Sequence, residues 1–231
     1  MNALLDHLVI AARTLDEGRQ WCEATLGVLP GAGGKHPLMG THNRLLSLGG
    51  EMFAQCYLEI IAIDPTQRPT RGGHMHRWFD LDDSTLQQGL AQHGPHLVHF
   101  AARVPDAHAA VHALAAEPTH IERGRVIEAS RDTPAGRLEW QITVRDDGQR
   151  LFYGLLPTLI QWGPVHPTDS MADAGLRLVG LRLVHPRAPV LDAALRVIGV
   201  HQQLTISAGP PNLVATIDAP SGRITLESKG L

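Results

Sequence analysis

The sequence predicts an α+β fold made of repeated strand–helix–strands units, and three observations predict it. An apolar run at residues 4–12 is followed at once by a helix-start signal. The same succession returns at residues 97–104 and again from Leu176. In the first two copies Ala-Ala-Arg follows a histidine, His7 or His99, two residues closer in the second. That offset is even, so with strand pairing kept the two histidines are expected to face the same way.

The elements follow in order. Residues 4–12 read as a buried strand, and Thr14-Leu15-Asp16-Glu17 has the capping-box form that opens a helix. Leu15, Cys22 and Leu26 fall near one face of that helix, and Gly27 is placed to end it in the left-handed conformation. A Gly/Pro loop, 29–37, leads to Gly40-Thr41-His42-Asn43-Arg44 and then to strands at 45–48 and 57–63. Residues 64–84 turn polar around Pro65, Pro69, Gly72 and Gly73 and read as a connecting loop. The second copy continues with a helix from Pro105-Asp106 and strands at 125–129, 138–144 and 159–162, bounded by Asp132-Thr133-Pro134-Ala135-Gly136 and Asp146-Asp147-Gly148 turns. The third has a strand at 178–184, a helix at 190–198 stopped by Gly199, and strands at 204–207, 213–217 and 223–226.

Composition narrows the function classes. With 231 residues, 43% hydrophobic and 19% charged, the chain can build a sizeable core without staples. Net charge is −3 and the 20 basic residues are scattered, so neither nucleic acid nor an anionic membrane is the expected partner. A small-molecule ligand is. Cys22 and Cys56 have no metal-ligand spacing and read as buried thiols in a reducing compartment, and no run is long and apolar enough for a signal peptide or membrane span. A cytoplasmic protein is expected, with a homodimer left open.

The chain's chemistry points first to Glu59. It is a lone carboxylate in Tyr57-Leu58-Glu59-Ile60-Ile61, where a charge costs several kcal/mol unless it is paired or bound to a metal. Strand parity sets Tyr57, Glu59 and Ile61 on one face, so Glu59 is expected to point into a cavity and to be the catalytic residue. His42, Asn43 and Arg44 follow a Gly-Thr turn and are the candidate substrate-binding residues. His74 and His76 sit in polar, glycine-rich context and read as solvated, and Trp140 and Trp162 read as core.

Strand, helix and three strands repeated along one chain resembles the vicinal-oxygen-chelate superfamily, and the local text resembles its glyoxalase-like domain family. The phrases that carry the resemblance are Leu5-Asp6-His7-Leu8-Val9, Gly40-Thr41-His42-Asn43-Arg44-Leu45, Tyr57-Leu58-Glu59-Ile60-Ile61, Arg77-Trp78-Phe79, Leu138-Glu139-Trp140 and Leu156-Pro157-Thr158-Leu159-Ile160-Gln161-Trp162-Gly163. The resemblance implies tandem βαβββ modules over residues 1–165, closing a cup, with a third, partial module at 176–231 packed on them. It further implies a divalent metal, Zn, Ni, Fe or Mn, held by His7, Glu59, His99 and Gln161. Gln161 departs from the pattern, because a carboxylate is the usual ligand there and an amide oxygen is neutral and weaker. The alternative for His7 and His99 is a core role, hydrogen-bonded to Glu59 or to backbone.

Two functions of different class follow. One is a metal-dependent enzyme of isomerase, lyase or dioxygenase type acting on a small oxygenated metabolite, in which Glu59 or a pocket histidine moves a proton. The other is a metal-free protein that binds or sequesters a small ligand, as the drug-binding members of the superfamily do. A Gln161 amide favours the second, and His7, Glu59 and His99 together favour the first.

Overall fold

The computed structural model describes residues 1–116, 118–133 and 136–231. Pro134 and Ala135, within the turn expected at 132–136, lie outside the described residues. The first unit runs β1 (Leu4–Ala11), α1 (Leu15–Leu26), β2 (Lys35–His36), β3 (Thr41–Ser47) and β4 (Tyr57–Ile63). After α2 (Ser84–His93), the second unit runs β5 (His96–Arg103), α3 (Ala107–Ala115), β6 (Arg125–Thr133), β7 (Gly136–Val144) and β8 (Thr158–Trp162). Their strands join in one eight-stranded sheet, ordered β2-β3-β4-β1-β5-β8-β7-β6. The two halves mirror each other: β1 lies parallel to β4 and β5 parallel to β8, while β1 and β5 meet antiparallel at the seam.

Local chemistry explains the elements. Thr14 accepts the Glu17 backbone N–H at 3.1 Å, and Gly27 ends α1 at φ +72°. α2 was not legible in the sequence; Asp83 caps it by accepting the Thr85 and Leu86 N–H groups, and Leu86 and Leu90 are its buried anchors. On the sheet face that carries α1 and α3, residues such as Leu8, Ile10, Leu58, Phe100 and Leu159 form one core. Each buried Leu or Ile there contributes roughly 1.5–3 kcal/mol. Gly18 of α1 packs so closely on this face that a Cβ would stand 2.4 Å from the Ile60 side chain. Both thiols are free and buried, and burial pushes Cys22 up to about 12 and raises Cys56 as well, so neither is a ready nucleophile.

The third unit has β9 (Arg177–Val184), α4 (Ala188–Ile198), β10 (Leu204–Ser207), β11 (Asn212–Ala219) and β12 (Gly222–Glu227). Its element order repeats that of the first two, but its pairing does not. Its sheet runs β10-β9-β11-β12, so the strand parallel to its first strand is the one after the helix, not the last. Leu178, Leu181, Leu191, Leu195 and Ile198 extend the helix-side core. Backbone bonds from Leu178 to Leu48 and from Ala3 to Ile198 tie this unit to the first. The opposite face of the large sheet is left for Val9, Ala11, Ile61, Val98, Ala101, Trp140 and Ile160, and the site lies on that face. No helix among the described residues is long and apolar enough to cross a membrane.

Candidate active site

A register shift in β1 prepares the site. Leu5 and His7 pair with the consecutive residues Ala102 and Ala101, which leaves Asp6 as an extra residue in β1. Asp6 is fully buried and receives three hydrogen bonds: His7 Nδ1–H at 2.6 Å, His166 Nε2–H at 3.1 Å and Trp162 Nε1–H at 3.0 Å. Burial alone would raise its pKa, but the bonds from His166 and His7 outweigh it and hold the carboxyl below its usual range. With Nδ1 anchored there and Tyr57 stacked on the ring at 4.6 Å, His7 presents Nε2 to Glu59 Oε2 at 3.6 Å.

Glu59 is positioned from its other oxygen. Asn43 Nδ2 donates to Glu59 Oε1 at 2.6 Å and to His36 Nε2 at 3.4 Å, while Asn43 Oδ1 accepts from the Gly34 N–H at 2.8 Å and from Arg131 Nη1 at 3.4 Å. Every hydrogen-bonding position of that amide is engaged, so its orientation is fixed. His36 Nδ1 bonds Thr41 Oγ1 at 3.1 Å, and burial, then the Arg131 charge, pushes the His36 pKa down to about 3. It stays neutral and serves as an acceptor. His7, His36, Asn43, Glu59, Trp78 and Arg131 line a small cavity of about 30 Å³, closed by the rings of Tyr57, Phe79, Trp140 and Trp162. Space of that size holds about one water, so only the reacting end of a ligand enters. Phe79 and Asp80 hold the left-handed conformation at φ +60° and +56°, a strained turn strapped by Asp80 N–H to Gly148 O and by Arg150 to Asp80 Oδ2 at 2.9 Å.

The structure brings together part of the residue set expected from the sequence. His7, Glu59 and Asn43 meet in the cavity. His42 and Arg44 alternate with Asn43 along β3 and do not line it; His42 Nδ1 lies 3.9 Å from Asp64 instead. His99 shares the sheet face of His7, but the residue opposite it is Val9, and His7 faces Ala101. Both its ring nitrogens are engaged: Nδ1 with Gly154 O at 2.8 Å, and Nε2 with the Thr158 N–H at 3.1 Å and hydroxyl at 3.0 Å. This is the backbone-bonded core histidine of the alternative reading. Complete burial, then the Arg123 charge, holds it neutral, well below its ordinary pKa. Gln161 lies on the helix side of β8, where Oε1 accepts the Ala107 N–H at the start of α3 at 2.9 Å; its neighbours Ile160 and Trp162 face the cavity.

That donor set does not fit a divalent cation. His7 Nε2 and Glu59 Oε2 are two possible ligands, His36 Nε2 accepts from the Asn43 amide, the amide oxygen of Asn43 is already bonded twice, and a guanidinium shares the cavity. Among the described residues no three His, Cys, Asp or Glu side chains converge as a metal site.

Two mirrored βαβββ halves sharing one sheet, with a polar pocket on the face away from α1 and α3, define a glyoxalase-like architecture. The chain belongs to the family of the glyoxalase-like domain, whose sequence model matches residues 5–199. A hypothetical protein from Staphylococcus aureus is similar in structure, with a TM-score of 0.59 at 14% identity over 90% of this chain and 87% of that one. Methylmalonyl-CoA epimerase from Mycobacterium tuberculosis matches at a TM-score of 0.38 and 19% identity, over 72% of this chain and 91% of that one. A Streptomyces coelicolor methylmalonyl-CoA epimerase in complex with 2-nitronate-propionyl-CoA gives 0.41 and 18%, over 70% and 98%. No curated protein matches the sequence.

Proposed function

We propose that the protein is an enzyme that moves a proton on a small oxygenated metabolite, at carbon next to a carbonyl, and that it does so with its own side chains. The observation that carries this is the His7–Glu59 pair, 3.6 Å apart in a buried cavity, with each partner held from behind by Asp6 or Asn43. In the expected step Glu59 Oε2 takes the C–H proton and the electron pair moves onto the carbonyl oxygen. His7 Nε2, on the same side, exchanges a proton with the neighbouring atom. Two groups this close serve one face of the substrate, which suits a proton shift between adjacent atoms better than inversion from opposite faces. Trp78 Nε1, buried without a partner on a side chain that lines the cavity, is a donor for the carbonyl oxygen.

The test is hydrogen exchange. A panel of 2-oxo acids and hydroxy ketones incubated with the protein in D₂O should show deuterium uptake at the carbon beside the carbonyl by NMR. Glu59→Gln, which keeps an acceptor for Asn43, should cut that rate about 10²–10⁴-fold with little change in stability. Added Mn²⁺, Ni²⁺ or Zn²⁺ should change neither the rate nor the unfolding temperature. Uptake by no member of the panel would refute the enzyme reading. The second reading, a metal-free binding protein, draws on a larger cleft of about 520 Å³ outside the cavity, and it predicts ligand binding with no exchange.

A further inference from the structure

We propose that Arg131 and the outer cleft form a binding site for a carboxylate with an apolar tail, so that the substrate of the His7–Glu59 pair is a short- to medium-chain oxo or hydroxy acid. This rests on the proton-transfer reading for what happens next, but its own evidence is separate. The outer cleft of about 520 Å³ is walled by Leu29, Leu45, Leu46, Leu138, Met171 and Ala174. It shares Leu45, Arg131 and Pro167 with the inner cavity, so these three residues stand between a mainly apolar vestibule and the polar chamber, and in the proposed site they form its neck.

Arg131 stands there with no counterion among the described residues. Its Nε is buried and has no hydrogen-bond partner, and among the described residues no carboxylate pairs with it. Its neighbours are satisfied: Arg125 on the same strand bonds Asp146, and Arg137 on β7 pairs with Glu139. Asp173 also lines the cleft but is paired with Arg177 at 2.6 Å. Nη1 is turned to Asn43 Oδ1, so in the proposed site the anion takes the edge that carries Nε and Nη2, displacing what now covers the buried Nε. Two parallel N–H groups on that edge match the two oxygens of a carboxylate.

Gly34 gives the guanidinium its seat. A Cβ there would stand 2.3 Å from Arg131 Nη1 and 2.9 Å from Cζ, so any larger residue displaces the head group. Asn43 then links the anchor to the chemistry, bonded to Arg131 through its oxygen and to Glu59 through its nitrogen. A carboxylate at Arg131 would set the adjacent carbon toward the chamber and leave the hydrocarbon tail in the vestibule.

The experiment uses hexanoate, hexanamide and 1-hexanol as probes of the whole protein, with binding followed by ligand-observed NMR, and 2-oxohexanoate for exchange. Hexanoate should bind, and hexanamide and hexanol should bind at least about tenfold more weakly. Arg131→Gln should remove that preference and leave hexanol binding unchanged; Arg131→Lys, which keeps the charge and loses the fork, should be intermediate. Gly34→Ala, with Arg131 itself intact, should weaken hexanoate selectively, which guards against misfolding of the arginine variants. Equal binding of all three probes, or hexanoate binding untouched by both Arg131→Gln and Gly34→Ala, would overturn the proposal. If hexanoate binds through Arg131 but neither 2-oxohexanoate nor any member of the panel takes up deuterium, the proton-transfer reading fails and the carboxylate site stands. If hydroxy ketones exchange with the unmodified protein but hexanoate does not bind it, the carboxylate site fails and the proton-transfer reading stands.

Discussion

Asp6→Ala is expected to lower the free energy of unfolding by about 3–5 kcal/mol, because it removes the single acceptor shared by two buried histidines and the half-buried Trp162. His7, His166 and Trp162 come from two distant parts of the chain, and each directs an N–H at this carboxylate. The side chain is fully buried, so no water replaces it directly. Asp6→Asn should recover little, since an amide offers one acceptor and adds a donor where three donors already converge. Urea unfolding followed by tryptophan fluorescence reads the loss. A change under about 1 kcal/mol would show that the donors find other partners and that the bulge in β1 is maintained by packing alone.

Acid should destabilise the protein well before its carboxylates titrate. His36 and His99 are buried and neutral, with folded pKa values below the unfolded value of about 6.5. Below that pH the unfolded chain binds protons that the folded chain refuses, so stability is complete above about 6.5 and falls as pH drops toward the folded values. His36, with a folded pKa of about 3, contributes a slope of about 1.4 kcal/mol per pH unit, or about 2 kcal/mol by pH 5, and His99 acts in the same direction. Asp6 acts in a different window: its depressed pKa supplies stability that is retained above about 3.9 and lost only below it. Unfolding free energies at pH 7.5, 6.0 and 5.0 test this, and His36→Gln should make the slope shallower. A flat profile over that range would mean that His36 and His99 are protonated in the folded protein.

How far the sequence revealed the site depends on the kind of signal each residue leaves. Glu59 was legible because a single carboxylate interrupts an apolar strand, and strand parity alone assigns its face. Asn43 was legible only as a turn-adjacent residue, grouped with His42 and Arg44, which the same parity sends to the other face. Gln161 and His99 show the limit of carrying a ligand pattern across. One residue of parity puts Gln161 beneath the sheet, and two residues along β5 put His99 opposite Val9. Of the remaining members, Asp6 and Trp78 stood only inside phrases that carry the family resemblance, with no role of their own, and His36 and Arg131 left no local mark. His36 sits in a glycine-rich loop, and Arg131 lies on an alternating hairpin strand where an arginine reads as solvent-facing. Asp6 enters the site only through a bulge, and Trp78 through a strained turn. Each is placed by sheet curvature or strand register, properties of pairing between distant segments that no short window of sequence contains.

The fully bonded amide of Asn43 has one more effect on the chamber. A carboxylate and a guanidinium left adjacent in a dry pocket collapse into contact, and each then cancels the other as a base and as an anion receptor. Asn43 stands between them with its dipole aligned, the NH₂ toward Glu59 and the oxygen toward Arg131. In the proposed reaction it would work as an electrical spacer, keeping two opposite charges beside one ligand while denying them each other.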